Sequence, residues 1–85
     1  MTPRSRHDRT VRLLTARLET LAVAAERSPR GERELEPSIL GAAAATRNAV
    51  RLRLLSREEA GAIWSAVAER HPTAVWARFD LVPQP

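Results

Sequence analysis

The feature that most constrains the fold is a stripe of apolar residues near the start of the chain. From residue 11 onward, apolar side chains recur at alternating spacings of three and four, as on one face of an amphipathic helix. The pattern predicts a helix of about twenty residues with Asp8 as its N-cap. The stripe is too short for a free-standing coiled coil, so it must pack on the rest of the domain or on a second copy. Its first four residues, the predicted oligomer interface, are Val11, Leu14, Leu18 and Leu21.

The length of the chain sets a second limit. Its 85 residues make one small domain with a thin stability margin, and there is no cysteine to supply a disulfide or a thiolate ligand. Small cores without such support often gain stability from a partner, so we expect a homodimer or a protein partner. Residues 1–7 show no apolar periodicity and are predicted to be a mobile basic arm, followed by a single domain at 8–85.

The stretch "VRLRLL", which begins at Val50, changes the apolar rhythm. Val50, Leu52 and Leu54 alternate with Arg51 and Arg53, as in a half-buried strand. In a helix, Leu52 would lie on the arginine side and its apolar surface would be exposed to solvent. The alternation therefore predicts a strand.

A helix with clear boundaries should follow this strand, which is predicted at 49–55. Ser56 and Glu59 have the spacing of a capping box, in which each side chain bonds the other residue's backbone amide. Pro72 disfavours helical geometry at His71, so the helix should end there. Its buried face is predicted to comprise Ala60, Ile63, Trp64 and Val67, with Ala68 beside them.

The last apolar stretch, residues 74–82, also alternates. Val75 and Phe79 lie on the inward side of the predicted strand, and Trp76 and Arg78 on the outward side. Together with a short alanine-rich helix that starts at a Ser38 cap, these elements define the predicted fold. It is α+β, with a long N-terminal amphipathic helix, the short alanine-rich helix and a C-terminal strand–helix–strand unit.

A second interpretation starts from "SILGAAAATRNAVRLRL", residues 38–54. This stretch resembles the helix-turn-helix of bacterial regulators and of sigma-factor region four, in which a short helix, a tight turn and a capped recognition helix follow one another. The resemblance implies an all-α fold with a helix-turn-helix at 38–55. It also implies that Arg47, Asn48 and Arg51 reach base edges in the major groove of DNA.

Two positions depart from that pattern. Leu40 stands where the motif normally needs a small residue, and Ala44 replaces the glycine of the turn. The α+β interpretation is therefore preferred, and the helix-turn-helix is kept as the alternative.

The charges fall in blocks. All fourteen basic residues other than histidine are arginine, a planar fork suited to phosphate and carboxylate. Residues 1–17 and 37–57 each carry a net charge of +4, and residues 18–36 and 58–85 each carry −2. Two basic blocks predict surfaces for an anionic partner.

No pattern in the sequence points to catalysis. His7 and His71 are 64 positions apart and belong to no cluster with metal-ligand spacing. Glu58 and Glu59 are adjacent, so on a helix they diverge and cannot act as a facing acid–base pair. We therefore expect a protein that is not an enzyme, with no cofactor, no metal and no small-molecule substrate.

The expected function is that of a small basic protein that binds nucleic acid or regulates through an arginine and tryptophan surface. In the α+β fold, one sheet face carries both arginines of "RLR" and the outward residues of the last strand, which could stack a base and hold phosphates. The alternative is a non-catalytic adaptor or assembly subunit that binds an acidic protein surface. The candidate binding residues are Arg47, Arg51, Arg53, Trp76 and Arg78.

The apolar runs are short throughout. The longest, residues 39–45, cannot span a bilayer, and no secretory signal is recognisable at the start of the chain. The sequence therefore predicts a soluble cytoplasmic protein without a membrane partner.

Overall fold

The computed structural model describes residues 3–27 and 32–77, and over these ranges the chain is almost entirely helical. The elements are α1 (Pro3–Arg27), α2 (Glu32–Arg51), α3 (Arg57–Arg70) and a 3₁₀ turn (Val75–Ala77). None of the described residues is in a strand. The predicted α+β fold with a strand–helix–strand unit is therefore wrong, and the fold is all-α. None of these helices has the length and apolar character needed to cross a membrane.

The three helices form an up-down-up bundle. His7, near the start of α1, contacts Glu59, near the start of α3, and Arg70 at the end of α3 pairs with Glu19 of α1. These two helices therefore run in parallel. Val50, in the last turn of α2, lines a surface groove together with Arg6 and His7 from the first turns of α1. Helix α2 therefore runs in the opposite direction.

The core is centred on Trp64 of α3. Its side chain is fully buried, and its Nε1–H donates to the Oγ1 of buried Thr46, 3.1 Å away. The Thr46 hydroxyl donates in turn to the Ala42 carbonyl oxygen at 2.8 Å. Both polar groups are thus hydrogen-bonded inside the apolar interior, where an unsatisfied one costs about 1–3 kcal/mol. The residues of α1 in the same core are Leu14, Leu18, Leu21 and Ala22.

The long N-terminal helix predicted from the apolar stripe is confirmed. It begins at Pro3, so residues 3–7, predicted to be an arm, form its first turns and Asp8 is inside the helix instead of capping it. Its apolar stripe packs within the chain: Leu18 is fully buried and Val11 packs against the edge of the core. A second copy would have to use another surface.

The strand predicted at 49–55 is instead the end of α2 and the turn that follows. The Arg53 amide donates to the Val50 carbonyl and the Leu54 amide to the Ala49 carbonyl, which is the hydrogen-bond pattern of a Schellman C-cap. Leu52 is left 58% exposed. The strand was predicted because it would have avoided this exposure. The helical backbone bonds form locally, whereas a strand needs a partner that the described residues lack, so the exposed leucine is tolerated.

The alternative interpretation is right that the fold is all-α, but its helix-turn-helix at 38–55 is wrong, because α2 runs unbroken through the proposed turn. Alanine is the best helix former, and Ala44 stands where that motif has a helix-breaking glycine. The helix also begins before the predicted Ser38 cap and includes Pro37. Leu35, which precedes the proline, packs against the core and so favours an early helix start.

The second predicted strand, 74–82, is contradicted over the part that the structure describes. Ala74 is followed by a 3₁₀ turn, and residues 78–82 lie outside the described ranges. Trp76 and Ala77, expected on opposite faces of a strand, are both buried. The Trp76 ring packs edge-on against Trp64, with centroids 6.2 Å apart and planes at 86°. Burial of both aromatic rings outweighs the alternating pattern.

The helix after the first predicted strand is confirmed. Ser56 is its N-cap with both bonds of the capping box: its Oγ accepts from the Glu59 amide at 3.0 Å, and its own amide donates to the Glu59 carboxylate at 2.9 Å. The helix ends at Arg70 and His71 is the C-cap, directly before Pro72. Its buried residues are Ala60, Trp64 and Val67.

In the turn that follows α2, Leu55 is buried and Leu52 is exposed, whereas the predicted strand would have buried Leu52. Leu55 is 3% exposed and Leu52 is 58% exposed. We expect Leu55→Ala to lower the free energy of unfolding by about 2–5 kcal/mol, the usual result of truncating a buried leucine. The matched change Leu52→Ala should lower it by less than about 0.5 kcal/mol, as at other exposed positions. Urea unfolding followed by circular dichroism measures both, and equal losses would contradict the turn.

Candidate functional site at the basic end

The topology of the bundle gathers its positive charge. One end of the bundle, which we call the basic end, is formed by the N-terminal half of α1, the C-terminal half of α2, the turn 52–56 and the first half of α3. Its described side chains include seven arginines and three acidic residues, a net charge of +4. The arginines are Arg6, Arg9, Arg12, Arg47, Arg51, Arg53 and Arg57.

The opposite end of the bundle has a different balance. Its described side chains include five acidic residues and four arginines, a net charge of −1. The two basic blocks of the sequence are separated by an acidic block, and the reversal of direction between α1 and α2 places them side by side. The contrast between the ends therefore arises from the fold as well as from the composition.

Three of the predicted binding residues lie at the basic end. Arg51 and Arg53 are exposed, and the Arg51 guanidinium donates to the Asn48 side-chain oxygen at 2.7 Å. Arg47 is half-buried, and its Nη1 is enclosed without a hydrogen-bond partner. The structure therefore leaves Arg51 and Arg53 accessible to a ligand, and Arg47 only in part.

The other two predicted binding residues are Trp76 and Arg78. Trp76 is 8% exposed and belongs to the core, so its ring is not available to stack on a base. Arg78 lies outside the described residues. The sheet face that was to join these residues to Arg51 and Arg53 does not form over the described part of the chain.

Arg53 occupies an unusual backbone position. Its φ is 61°, in the left-handed region, at the position of a Schellman cap where glycine is the common residue. A side chain in this region costs about 1 kcal/mol or more. The chain keeps an arginine at this costly position, on the tip of the basic end.

A groove of about 730 Å³ opens at the basic end. Its apolar lining comes from the end of α2 and the turn, and its charged lining comes from α1, the turn and the start of α3. The lining residues are Arg6, His7, Val50, Arg53, Leu54, Leu55, Ser56 and Glu59. A groove lined by apolar side chains and by two arginines suits a ligand that has an anionic group attached to a less polar body.

His7 joins α1 to α3 at the edge of this groove. Its Nε2 is hydrogen-bonded to Glu59, and its Nδ1 lies 3.3 Å from the Asp8 carboxylate. The hydrogen bond with Glu59, and then the one with Asp8, raise the pKa of His7 above its usual value. The Ser56 amide and His7 lower the pKa of Glu59. The pair is therefore favoured as imidazolium and carboxylate.

His71 makes a similar connection between the same two helices at the opposite end. Its Nδ1 lies 2.8 Å from Glu26 and its Nε2 lies 2.7 Å from Glu19, which also pairs with Arg70. Glu26 and then Glu19 raise the pKa of His71, and His71 lowers the pKa of Glu19. The two ring nitrogens face different carboxylates, so these groups do not converge on an ion. No group of three or more potential ligands in the described ranges could hold a metal.

Sequence reasoning missed the two histidine contacts and the part played by Arg6. His7 and Glu59 are 52 positions apart, and nothing in their local patterns indicates that they meet. The charge blocks were the available signal for the basic end. They could be combined only once the direction of α2 was known, and the strand interpretation of its last turn concealed that direction.

Comparison with known proteins adds no relative. No protein family matches the chain, no curated protein is significantly similar to it in sequence, and no solved structure is significantly similar to it. The function of this chain is therefore inferred from its own geometry and charge.

The two histidine contacts predict how stability changes with pH. A histidine whose pKa is raised on folding stabilises the fold fully below its unfolded value of 6.5, and this contribution is lost as the pH rises through the folded value. Glu19 and Glu59, whose pKa values are lowered, stabilise above 4.5 and less as the pH falls. We expect the melting temperature to be highest between these two values and to fall towards pH 8.

The matched variant for this test is the double change His7→Gln and His71→Gln. It removes the titrating rings and keeps side chains that can hydrogen-bond. We expect its melting temperature to be nearly constant between about pH 6 and 8, where histidine is the side chain that normally titrates. A decrease as large as that of the unmodified protein would show that other groups cause the pH dependence.

Proposed function

We propose that this protein is a small non-enzymatic nucleic-acid-binding protein that contacts the phosphate backbone through its basic end. The observation that carries the proposal is the meeting of two basic blocks, far apart in sequence, on one end of the bundle with seven arginines. Six of these arginines are exposed. The sequence predicts a cytoplasmic protein, a location in which nucleic acid is available as a partner.

Arginine suits this role. Its guanidinium is always charged and presents a planar fork that can bind two phosphate oxygens at once. Neutralising phosphates releases condensed counterions, which is the main source of affinity in such complexes. Both tryptophans are buried, so over the described residues the contacts are with phosphates and not by stacking on tryptophan. The proposed binding is therefore largely independent of base sequence.

The salt dependence of binding tests this proposal. We expect the affinity for a fluorescent DNA duplex, measured by anisotropy, to fall steeply between about 50 and 200 mM salt. The double variant Arg51→Gln and Arg53→Gln should reduce the slope of log K against log salt by about 0.9 for each phosphate contact that is lost. Undetectable binding at low salt would contradict the proposal.

A matched variant controls for the loss of charge. Arg27→Gln with Arg33→Gln removes the same two charges from exposed positions at the opposite end of the bundle. We expect this pair to leave the salt slope close to that of the unmodified protein. If both double variants reduced the slope equally, the net charge of the protein and not the basic end would be responsible.

One observation favours the adaptor function as a second candidate. Leu52, 58% exposed, stands between Arg51 and Arg53 at the tip of the turn, a combination that suits an acidic protein surface with an apolar pocket. Leu52→Ser distinguishes the two functions. It should not change duplex binding if phosphates are the ligands, but it should weaken a complex in which the leucine is buried.

A further inference from the structure

The groove at the basic end combines an apolar surface with a cationic one, and a regular duplex would contact only the cationic surface. Val50, Leu54 and Leu55 form the apolar part of its lining, which we call the floor, and Arg6 and Arg53 are the arginines of the lining. A duplex presents its phosphates on the outside and keeps its bases stacked inside. Phosphate contacts alone would leave the apolar floor unused.

The charge balance of the groove favours an anion. The carboxylate in its lining, Glu59, already accepts from the Ser56 amide and is hydrogen-bonded to His7, so its charge is compensated within the protein. Arg6 and Arg53 are both exposed and both line the groove. Two guanidinium groups therefore dominate its field and complement a phosphate.

Arg53 adds an independent observation. Glycine would adopt this left-handed backbone with less strain, yet the residue that lines the groove here is an arginine. Strained residues concentrate at ligand-binding sites, where the surrounding structure holds them in place. The volume of about 730 Å³ also lies in the range of small-ligand sites.

We propose that this groove binds one unpaired nucleotide of the nucleic acid, with its phosphate between Arg6 and Arg53 and its base on Val50, Leu54 and Leu55. The inference rests on the proposed function and adds a preference for nucleic acid with an unpaired end or an extruded base. Its ligand is thus a single nucleotide carried by a strand.

Two duplexes of equal length test the inference, one blunt and one with a single unpaired nucleotide at its end. We expect the unpaired nucleotide to tighten binding by about fivefold, the order expected when part of a base is buried on apolar side chains. Equal, measurable affinity for both duplexes would overturn the inference and leave the proposed function standing. Failure of both duplexes to bind would overturn the proposed function, and the inference with it.

A matched pair of variants places the preference in the groove. Leu54→Gln makes the floor polar, whereas Leu40→Gln makes the same change on an exposed part of α2 outside the groove lining. We expect the preference for the unpaired nucleotide to disappear in the first variant and to persist in the second. If the preference persisted in both variants, or disappeared in both, the assignment to this groove would be overturned.

A measurement on the unmodified protein keeps the inference testable if Leu54→Gln does not fold. Methyl resonances of Val50, Leu54 and Leu55 are followed by NMR during titration with adenosine monophosphate, adenosine, inorganic phosphate or octanoate. We expect the monophosphate to shift these resonances at lower concentration than either of its parts. Larger effects from octanoate, or no effect from the monophosphate, would overturn the proposal of a nucleotide.

Discussion

The structure depends on the burial of one aromatic side chain, Trp64. The ring is fully enclosed, yet its indole N–H needs an acceptor, and Thr46 of α2 supplies it. A buried indole without an acceptor would lose about 1–3 kcal/mol, a large fraction of the stability of so small a domain. This hydrogen bond links α2 to α3 inside the core.

The position of α2 determines the charge distribution. With Thr46 facing Trp64 and α2 antiparallel to α1, the last turn of α2 and the turn 52–56 lie beside the first turns of α1, and the first and third charge blocks of the sequence become one surface. The basic end and its groove are thus consequences of one packing arrangement, and both would be lost if α2 ran in the other direction.

Two local signals in the sequence predicted local structure correctly. The spacing of Leu14, Leu18 and Leu21 indicated α1, and Ser56 with Glu59 indicated the start of α3, because these patterns depend only on neighbours within one or two turns. The last turn of α2 was mispredicted, since alternation cannot show whether a strand partner exists. There the backbone formed helical bonds and left Leu52 exposed.

Features that depend on distant contacts could not be predicted. Trp76 was expected to face outward, but its ring is buried against Trp64, and a period-two pattern carries no information on that contact. The candidate site shows the same division. Arg51 and Arg53 were recognised from their own stretch, whereas Arg6 and His7 join them only through the antiparallel course of α2.

The most direct test of this account measures the distance between the start of α1 and the end of α2. The chain contains no cysteine, so spin labels attached through Arg6→Cys and Leu52→Cys, both at exposed positions, report that one distance. The account predicts that the labels lie within about 20 Å, well below the length of α2 at 1.5 Å per residue. A distance of about 30 Å or more, the length of that helix, would separate the two basic blocks and contradict the account.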